Sequence, residues 1–446
     1  MIELTVCRTD ADRIAEDLLG GRTERCAVIF ASRAQPTADR TRTRLLGKEV
    51  LFPTGDDYTD QSPTSAELKP AFVAAISKRA RLRGESIVFV HSHPGDERPG
   101  FSSLDDEGEA RLASFLDLRT PGVPHAAVVI SAGGWRGRRL GTFEPMKIVA
   151  LGEGREVLFA ASTSEEPPPE CFDRQVRAFG QAGQRLLGSL TVAIVGLGGT
   201  GSIAAEQLVH LGVRRFVLID PDLVEETNLN RVVGATGEDV GRTKVAVAAR
   251  RIAAVAPQAL ARCVHGDVTR TTVAKELIAA DFIFSCTDSH GSRAVIQQVA
   301  YQYLIPCIDV GSIITVTDSQ VTGIHGRIQA LAPGLACLTC SGLIDSEEVR
   351  RDLMSEEERH RDPYIQGARE PAPAVISING TVTSLAVTMF MAMTVGVPSD
   401  GRHVLFNARN PTLRSVSASR HPNCYICSPS GVLAAGDNQF LFTRDD

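Results

Sequence analysis

Apolar residues along this 446-residue chain fall into short runs separated by glycine, proline and charged clusters, a pattern of alternating strands and helices. The sharpest run is Thr191–Val195, followed at once by Gly-Leu-Gly-Gly-Thr-Gly ending at Gly201. Val192, Ile194 and Val195 predict an interior parallel strand. Gly196, Gly198, Gly199 and Gly201 predict a turn that lets main chain approach a phosphate with no Cβ in the way, and Ser202–Leu211 predicts a helix. The first amides of that helix and its dipole point at whatever lies over the glycines, so an anion is the natural occupant. Further runs predict strands over Phe216–Asp220 and Phe282–Asp288, each closing on a carboxylate, and an earlier helix over Ala66–Leu82 followed by a strand over Ser86–Val90. Ala372–Val397 carries no charge, but Ser377, Asn379, Gly380, Thr381, Thr383 and Ser384 interrupt it, which predicts a buried helix rather than a membrane span.

The strand at Ser86–Val90 runs into His91-Ser92-His93-Pro94, and after a spacer of eight residues from His93 come Ser102-Ser103-Leu104-Asp105. Strand alternation puts both imidazoles on one side, a carboxylate opening the next helix supplies a third ligand, and a fourth position stays open for water, as in a catalytic zinc site. Ser102 can hydrogen-bond an oxyanion or cap the helix. This arrangement resembles the JAMM (JAB/MPN) metalloprotease motif, His-x-His-Pro, a spacer, then Ser-x-x-Asp. The resemblance covers roughly the first third of the chain and implies an α+β domain with zinc on His91, His93 and Asp105, and with Glu24, on an earlier strand, as general base. It also implies cleavage of peptide or isopeptide bonds after the terminal glycine of ubiquitin-like proteins. The spacer is one residue longer than the usual seven, so a non-catalytic relative used for docking is the competing reading.

Residues 161–170, Ala-Ser-Thr-Ser-Glu-Glu-Pro-Pro-Pro-Glu, read as an extended linker. The expected organisation is therefore a domain over 1–150, a Pro/Glu-rich linker over 151–171, a second domain over 172–430 and a tail over 431–446. In the second domain Asp220 can hold ribose hydroxyls. Asn228, Arg231 and Lys244 place an amide and two cations beside a phosphate site, which suits an enzyme that expels pyrophosphate better than one that transfers hydride. Asp288, at a strand's carboxyl end, is placed for Mg²⁺.

Taken together, these residues resemble the E1-like activating enzymes of the ThiF/MoeB type. The resemblance runs from Arg174 through Cys427 and implies a Rossmann-like, doubly wound α/β adenylation domain. It carries Arg174 onto an arginine that reaches the nucleotide of the opposite protomer, hence a homodimer. Gly196, Gly198, Gly199 and Gly201 fall on the family's glycine loop, Asp220 on ribose, Asn228, Arg231 and Lys244 on ATP, and Asp288 on Mg²⁺ and the α-phosphate. A structural zinc falls on Cys337, Cys340, Cys424 and Cys427. The two Cys-x-x-Cys pairs support that zinc by themselves, because four thiolates leave no open position. Val232 replaces the glutamine that commonly follows Arg231. Residues 341–423 contain no cysteine, so adenylation is expected without the usual thioester nucleophile, and Asp362, Tyr364 and Arg369 would guide a substrate tail. Cys7, Cys26, Cys171, Cys263, Cys286 and Cys307 read as small buried side chains.

Composition adjusts this picture only slightly. The formal net charge of −6 argues against a dedicated nucleic-acid binder. The amino terminus has no basic region followed by an apolar stretch, which predicts a cytoplasmic protein, and ten cysteines in such a chain favour metal or thiol chemistry over a disulfide framework. Only six of the 47 basic residues are lysines, so Lys244 is a less casual occurrence than usual. The expected function is ATP-dependent adenylation of the terminal glycine of a ubiquitin-like or sulfur-carrier protein. The resemblance sets this in a prokaryotic ubiquitin-like conjugation system, antiviral ones included, with an E2-like partner and with the amino-terminal domain trimming or removing the same carrier. Two rival readings are adenylation for sulfur transfer in cofactor synthesis and adenylation of a short peptide.

Overall fold

The computed structural model describes residues 2–37, 41–160, 166–355 and 372–445. They divide into two units: the described residues of Met1–Thr163 with Gln302–Leu304 and Val432–Phe440, and those of Ser164–Tyr301 with Ile305–Gly431 and Leu441–Asp446.

In the first unit the strands are β1 (Ile2–Cys7), β2 (Cys26–Ala34), β3 (Thr43–Leu51), β4 (Tyr58–Ser62), β5 (Ser65–Leu68), β6 (Ser86–Ser92), β7 (Ala126–Ser131), β8 (Gly134–Arg139), β9 (Lys147–Leu151) and β10 (Arg155–Phe159). Eight of them make one mixed sheet in the order β10-β9-β1-β3-β2-β6-β7-β8, while β4 and β5 form a separate hairpin. The near-continuous apolar runs follow from burial on both faces. Ile29, Val88, Val90 and Val128 pack with Ile14 and Leu18 of helix α1 (Arg8–Leu19). The alternate positions Val28, Phe30, Ile87 and Phe89 pack with Ile76 and Ala80 of α2 (Pro70–Arg83) and Leu116 of α3 (Ser103–Arg119). The helix expected over Ala66–Leu82 is thus shorter at its start: Ser65–Leu68 are strand, and Pro70 opens α2 at N1, the position where its missing N–H is not needed. The linker expected from residue 151 also begins later, since β10 pairs with β9 through Val157 and Val149. The segment expected as a tail from 431 is held in this unit, where the Gln35 N–H donates to Asp437 Oδ2 at 3.0 Å and Asn438 Nδ2 to the Arg83 carbonyl.

The second unit has helices α4 (Asp173–Ser189), α5 (Gly199–Leu211), α6 (Lys244–Val255), α7 (Thr271–Glu276), α8 (His290–Gln302), α9 (Ser346–Leu353) and α10 (Ile376–Val395). Its strands are β11 (Thr191–Val195), β12 (Arg215–Asp220), β13 (Leu260–His265), β14 (Phe282–Ser285), β15 (Cys307–Thr317), β16 (Gln320–Leu331), β17 (His403–Asn407) and β18 (Thr412–Ser415). They run in the order β13-β12-β11-β14-β15-β16-β17-β18, parallel as far as β15 and antiparallel beyond. That reversal of strand order about β11 sets up a crevice at the carboxyl ends of β11 and β14. Helix α10 is long and apolar enough to cross a membrane by length and composition. In this structure its Val382, Ala386 and Phe390 lie in the core, and Phe390 meets Phe282 edge-on at 4.8 Å between centroids.

Candidate nucleotide and metal sites

Strand β11 delivers the chain to Gly196, whose φ of +87° and whose missing Cβ, which would sit 2.6 Å from the Cys286 carbonyl oxygen, both require glycine. The helix begins at Gly199 rather than Ser202, so Gly199 and Gly201 belong to its first turn and not to the preceding loop. Their role is close packing. A Cβ on Gly201 would lie 1.7 Å from the Gly196 carbonyl oxygen, and one on Gly199 would lie 2.0 Å from Asn379 Nδ2. Gly198, the N-cap residue, faces open space, which leaves the helix's first amides accessible.

Asp220, at the end of β12, is buried. Its Oδ2 accepts from the Leu197 N–H at 2.6 Å and its Oδ1 from the Asp222 N–H at 2.8 Å, so it braces the glycine turn. Burial raises its pKa against the opposing pull of Lys244 and of those two amides; a ribose hydroxyl would have to share its oxygens. Lys244 follows the N-cap Thr243 at the start of α6, and its Nζ lies 2.7 Å from Asp222 Oδ2. The structure therefore brings Asp222 into the set, a residue the motif reading passed over. Asn228 is buried, with Oδ1 accepting from the Glu225 N–H at 3.3 Å. Arg231 donates to the Thr227 carbonyl and to Asn230 Oδ1. Its Cδ comes within 3.5 Å of the Cβ position at Gly199, while the Val233 N–H donates to Ser202 Oγ at 3.0 Å, tying this loop to α5.

Asp288 is exposed in the loop after β14 rather than within the strand. Cys286 N–H donates to the Val195 carbonyl and so fastens the start of that loop to β11. Arg174, exposed on the first turn of α4, makes no hydrogen bond to any of these groups among the described residues. Two further features were not assigned to the site from the sequence. Asn379, a buried polar residue on α10, accepts from Ser312 Oγ at 3.1 Å; its polarity in an apolar helix was the available signal. Asp309, fully buried, accepts from Ser285 Oγ at 2.9 Å and pairs with Arg293 and Arg327. Asp362, Tyr364 and Arg369 lie outside the described residues.

In the first unit His91 and His93 face each other across the end of β6, ring centroids 5.0 Å apart. Asp105, at the third position of α3, lies 3.2 Å from His91 Nε2 through one oxygen and 3.4 Å from His93 Nε2 through the other. Glu24 Oε1 lies 3.6 Å from His93 Nε2 and Asp96 Oδ2 lies 3.3 Å from His93 Nδ1. Glu24 precedes β2 instead of lying on it. Ser102 caps α3: its Oγ accepts from the Asp105 N–H at 3.2 Å and donates to Asp105 Oδ2 at 2.8 Å. Burial opposes the charge on Asp105, yet the two imidazoles and the Ser102 N–H hold its carboxyl well below the usual range. Burial raises the pKa of Glu24. The set suits a divalent cation: buried His91 Nε2 has the Asp105 carboxylate beside it but no well-aligned hydrogen bond among the described residues, and the ligand atoms of His91, His93 and Asp105 all lie within 4.8 Å of one another.

Cys337, Cys340, Cys424 and Cys427 also converge within 4.8 Å. Cys337 and Cys424 Sγ are 3.6 Å apart, Cys340 and Cys427 Sγ 3.7 Å, close to the edge of about 3.8 Å that a tetrahedron of 2.3 Å Zn–S bonds requires. The hydrogen bond between Cys337 and Cys427 pulls the Cys427 thiol down to about 5 and raises Cys337, while burial raises Cys340, so the cluster by itself favours one thiolate. Of the remaining cysteines, Cys171 and Cys263 are exposed, against expectation, while Cys7, Cys26 and Cys307 are buried. Burial pushes the Cys286 thiol up to about 12, which makes it a poor nucleophile.

The ThiF family profile matches residues 172–426, more than half of the chain. The SAMP-activating enzyme E1 of Haloferax volcanii is 26% identical over 264 residues, covering 59% of this chain and 89% of that protein. The sulfur carrier protein ThiS adenylyltransferase of Escherichia coli is 28% identical, covering 56% of this chain and 90% of its own. Among solved structures, E. coli MccB crystallised with AMPCPP and MccA superimposes over 58% of this chain and 75% of its own, with TM-score 0.47 and 18% identity. Because the family profile spans more than half of the chain, including the braced glycine turn and the crevice at the carboxyl ends of β11 and β14, the chain belongs to the ThiF family of E1-like adenylyltransferase domains.

Proposed function

We propose that the second unit uses MgATP to activate the terminal carboxylate of a ubiquitin-like or sulfur-carrier protein. The carboxylate attacks the α-phosphate, a new C(=O)–O–P bond forms, and the bond to the leaving pyrophosphate breaks. The observation that carries this reading is the assembly of the glycine turn, Asp220, Asp222, Lys244 and the Arg231 loop around the half-buried start of α5. Helix amides, Lys244 and Arg231 would offset the phosphate charge that accumulates on the leaving group. Asp288 would hold Mg²⁺ against phosphate oxygens, and Arg174 would act across a homodimer. The four cysteines would hold a structural zinc.

For the first unit the proposal is a metal-dependent amidase of the JAMM kind acting on the same carrier. Zinc on His91, His93 and Asp105 would supply Lewis acidity toward a scissile carbonyl. Glu24 would take a proton from water, and Asp96 would orient His93. Joined on one chain, the two activities suit a prokaryotic ubiquitin-like conjugation pathway with an E2-like acceptor, defence systems among them.

ATP–pyrophosphate exchange tests the central reaction, using the full chain and the small glycine-ended protein encoded nearest to it. Exchange should require that protein's terminal glycine and should fall on the order of 100-fold in Asp288→Ala. Exchange driven by a short peptide and not by the folded carrier would contradict the carrier reading.

A further inference from the structure

Beside the His91–His93–Asp105 cluster the first unit carries a half-open cavity of about 450 Å³, the size of a small-molecule site. Much of its wall is apolar, with Leu68 from β5, Val73 from α2, Phe89 from β6 and Leu112 and Phe115 from α3, alongside the charged Glu67 and Arg111. Glu24, His91 and Asp105 line the same cavity, so the metal-ligating atoms and the apolar space are continuous. Glu109, a further acidic wall residue, is committed to Arg138, whose Nε donates to it at 3.0 Å.

Gly108 gives this cavity a second, independent mark. It lies in the interior of α3, one turn beyond Asp105, where glycine costs about 1 kcal/mol relative to alanine. Nothing lies within 4 Å of the place its Cβ would occupy, and its φ is ordinary, so neither backbone conformation nor close packing requires it. Leu104, Gly108, Leu112 and Phe115 follow helical spacing down the face of α3 that lines the cavity. The missing side chain therefore leaves open the passage between Asp105 and the apolar interior.

We infer that this cavity is a subsite for a bulky apolar group, a leucine-, methionine- or phenylalanine-sized side chain beside the amide held at the metal cluster, and that Gly108 is its doorway. The substrate class is thereby a peptide or amide with an apolar residue next to the reacting bond. The inference rests on the proposed metal site and adds a specificity that the metal ligands alone would not confer.

The test uses the full chain loaded with zinc and a series of alkyl hydroxamates, from acetohydroxamate to hexyl and phenylbutyl hydroxamates, with binding followed by calorimetry. Metal content is measured first: two zinc ions per chain, one of them lost in His91→Ala, establish the site, and an equal zinc content in the native chain and in His91→Ala would remove the metal reading itself. With that site established, affinity should rise about fourfold per added methylene until the cavity is filled. In Gly108→Trp the gain with chain length should disappear. Gly108→Leu, a smaller plug on a strong helix former, repeats the comparison if the tryptophan variant does not fold. A series with no dependence on chain length, or the same dependence in the plugged variants, would overturn the subsite while leaving the metal site standing.

Discussion

At Gly201 the helix and the strand before it come as near as backbone allows, because a Cβ there would meet the Gly196 carbonyl oxygen at 1.7 Å. Backbone cannot step aside as a side-chain tip can, so Gly201→Ala should destabilise the second unit by about 1–3 kcal/mol. Gly108→Ala should do the opposite in the first unit, stabilising it by about 1 kcal/mol, since it removes a helix-interior glycine that touches nothing. Urea unfolding of both variants checks the pair, and shifts of the same sign would contradict the account. The spacing Gly-x-Gly-Gly-x-Gly was legible in the chain because glycine's freedom of backbone approach has a residue-level signature. Its division of labour was not. Whether a glycine serves φ, as Gly196 does, or contact, as Gly199 does against Asn379, depends on a helix nearly 180 positions away. Asn379 and the Asp309 ion pairs were hidden for a related reason, because they are defined only when α10, α8 and β16 arrive.

Elements show the same division between local and distant causes. Ser102-x-x-Asp105 reads as both a cap and a ligand, and the structure lets Asp105 do both: its backbone N–H completes the box with Ser102 while its carboxylate faces two imidazoles. The misreading of Ala66–Leu68 as helix has a physical origin, because β5 pairs with β4 across a two-residue turn and such hairpin pairing leaves little trace in a short polar run. One element-level contact makes a pH prediction. His125, after α3, accepts from the Ile87 N–H at 3.0 Å through Nδ1, and its Nε2 lies 2.8 Å from Thr120 Oγ1. Burial lowers its pKa from 6.5 to about 4. The unfolded chain therefore takes up this proton more readily than the folded one, so the contribution is fully present above about pH 6.5 and is lost as pH falls toward 4. It amounts to about 3 kcal/mol at most. Unfolding free energies measured at several pH values should show a steeper loss on acidification in the native chain than in His125→Gln. Equal slopes would contradict the burial argument.

On the scale of the whole molecule, length set an expectation of two or three domains and the proline-rich stretch over 161–170 placed one boundary, while the described residues divide into two compact units. Their edges were less legible. β10 lies where a linker was expected, and Val432–Phe440 groups with the amino-terminal unit. A terminal segment's partner is set by tertiary contacts such as those of Asp437 and Asn438, which no local pattern encodes. The parallel core, with Val192, Phe216 and Phe282 aligned across β11, β12 and β14, was legible because strands buried on both faces must be apolar throughout.

The central claim is that the cleft over the start of α5 takes MgATP. Calorimetry on the full chain addresses it directly, with NAD as comparison ligand and Lys244→Ala and His93→Ala as variants. Saturable MgATP binding is predicted, weakened at least about tenfold when Lys244 loses its charge and retained in His93→Ala. Binding of NAD with none of MgATP would contradict it.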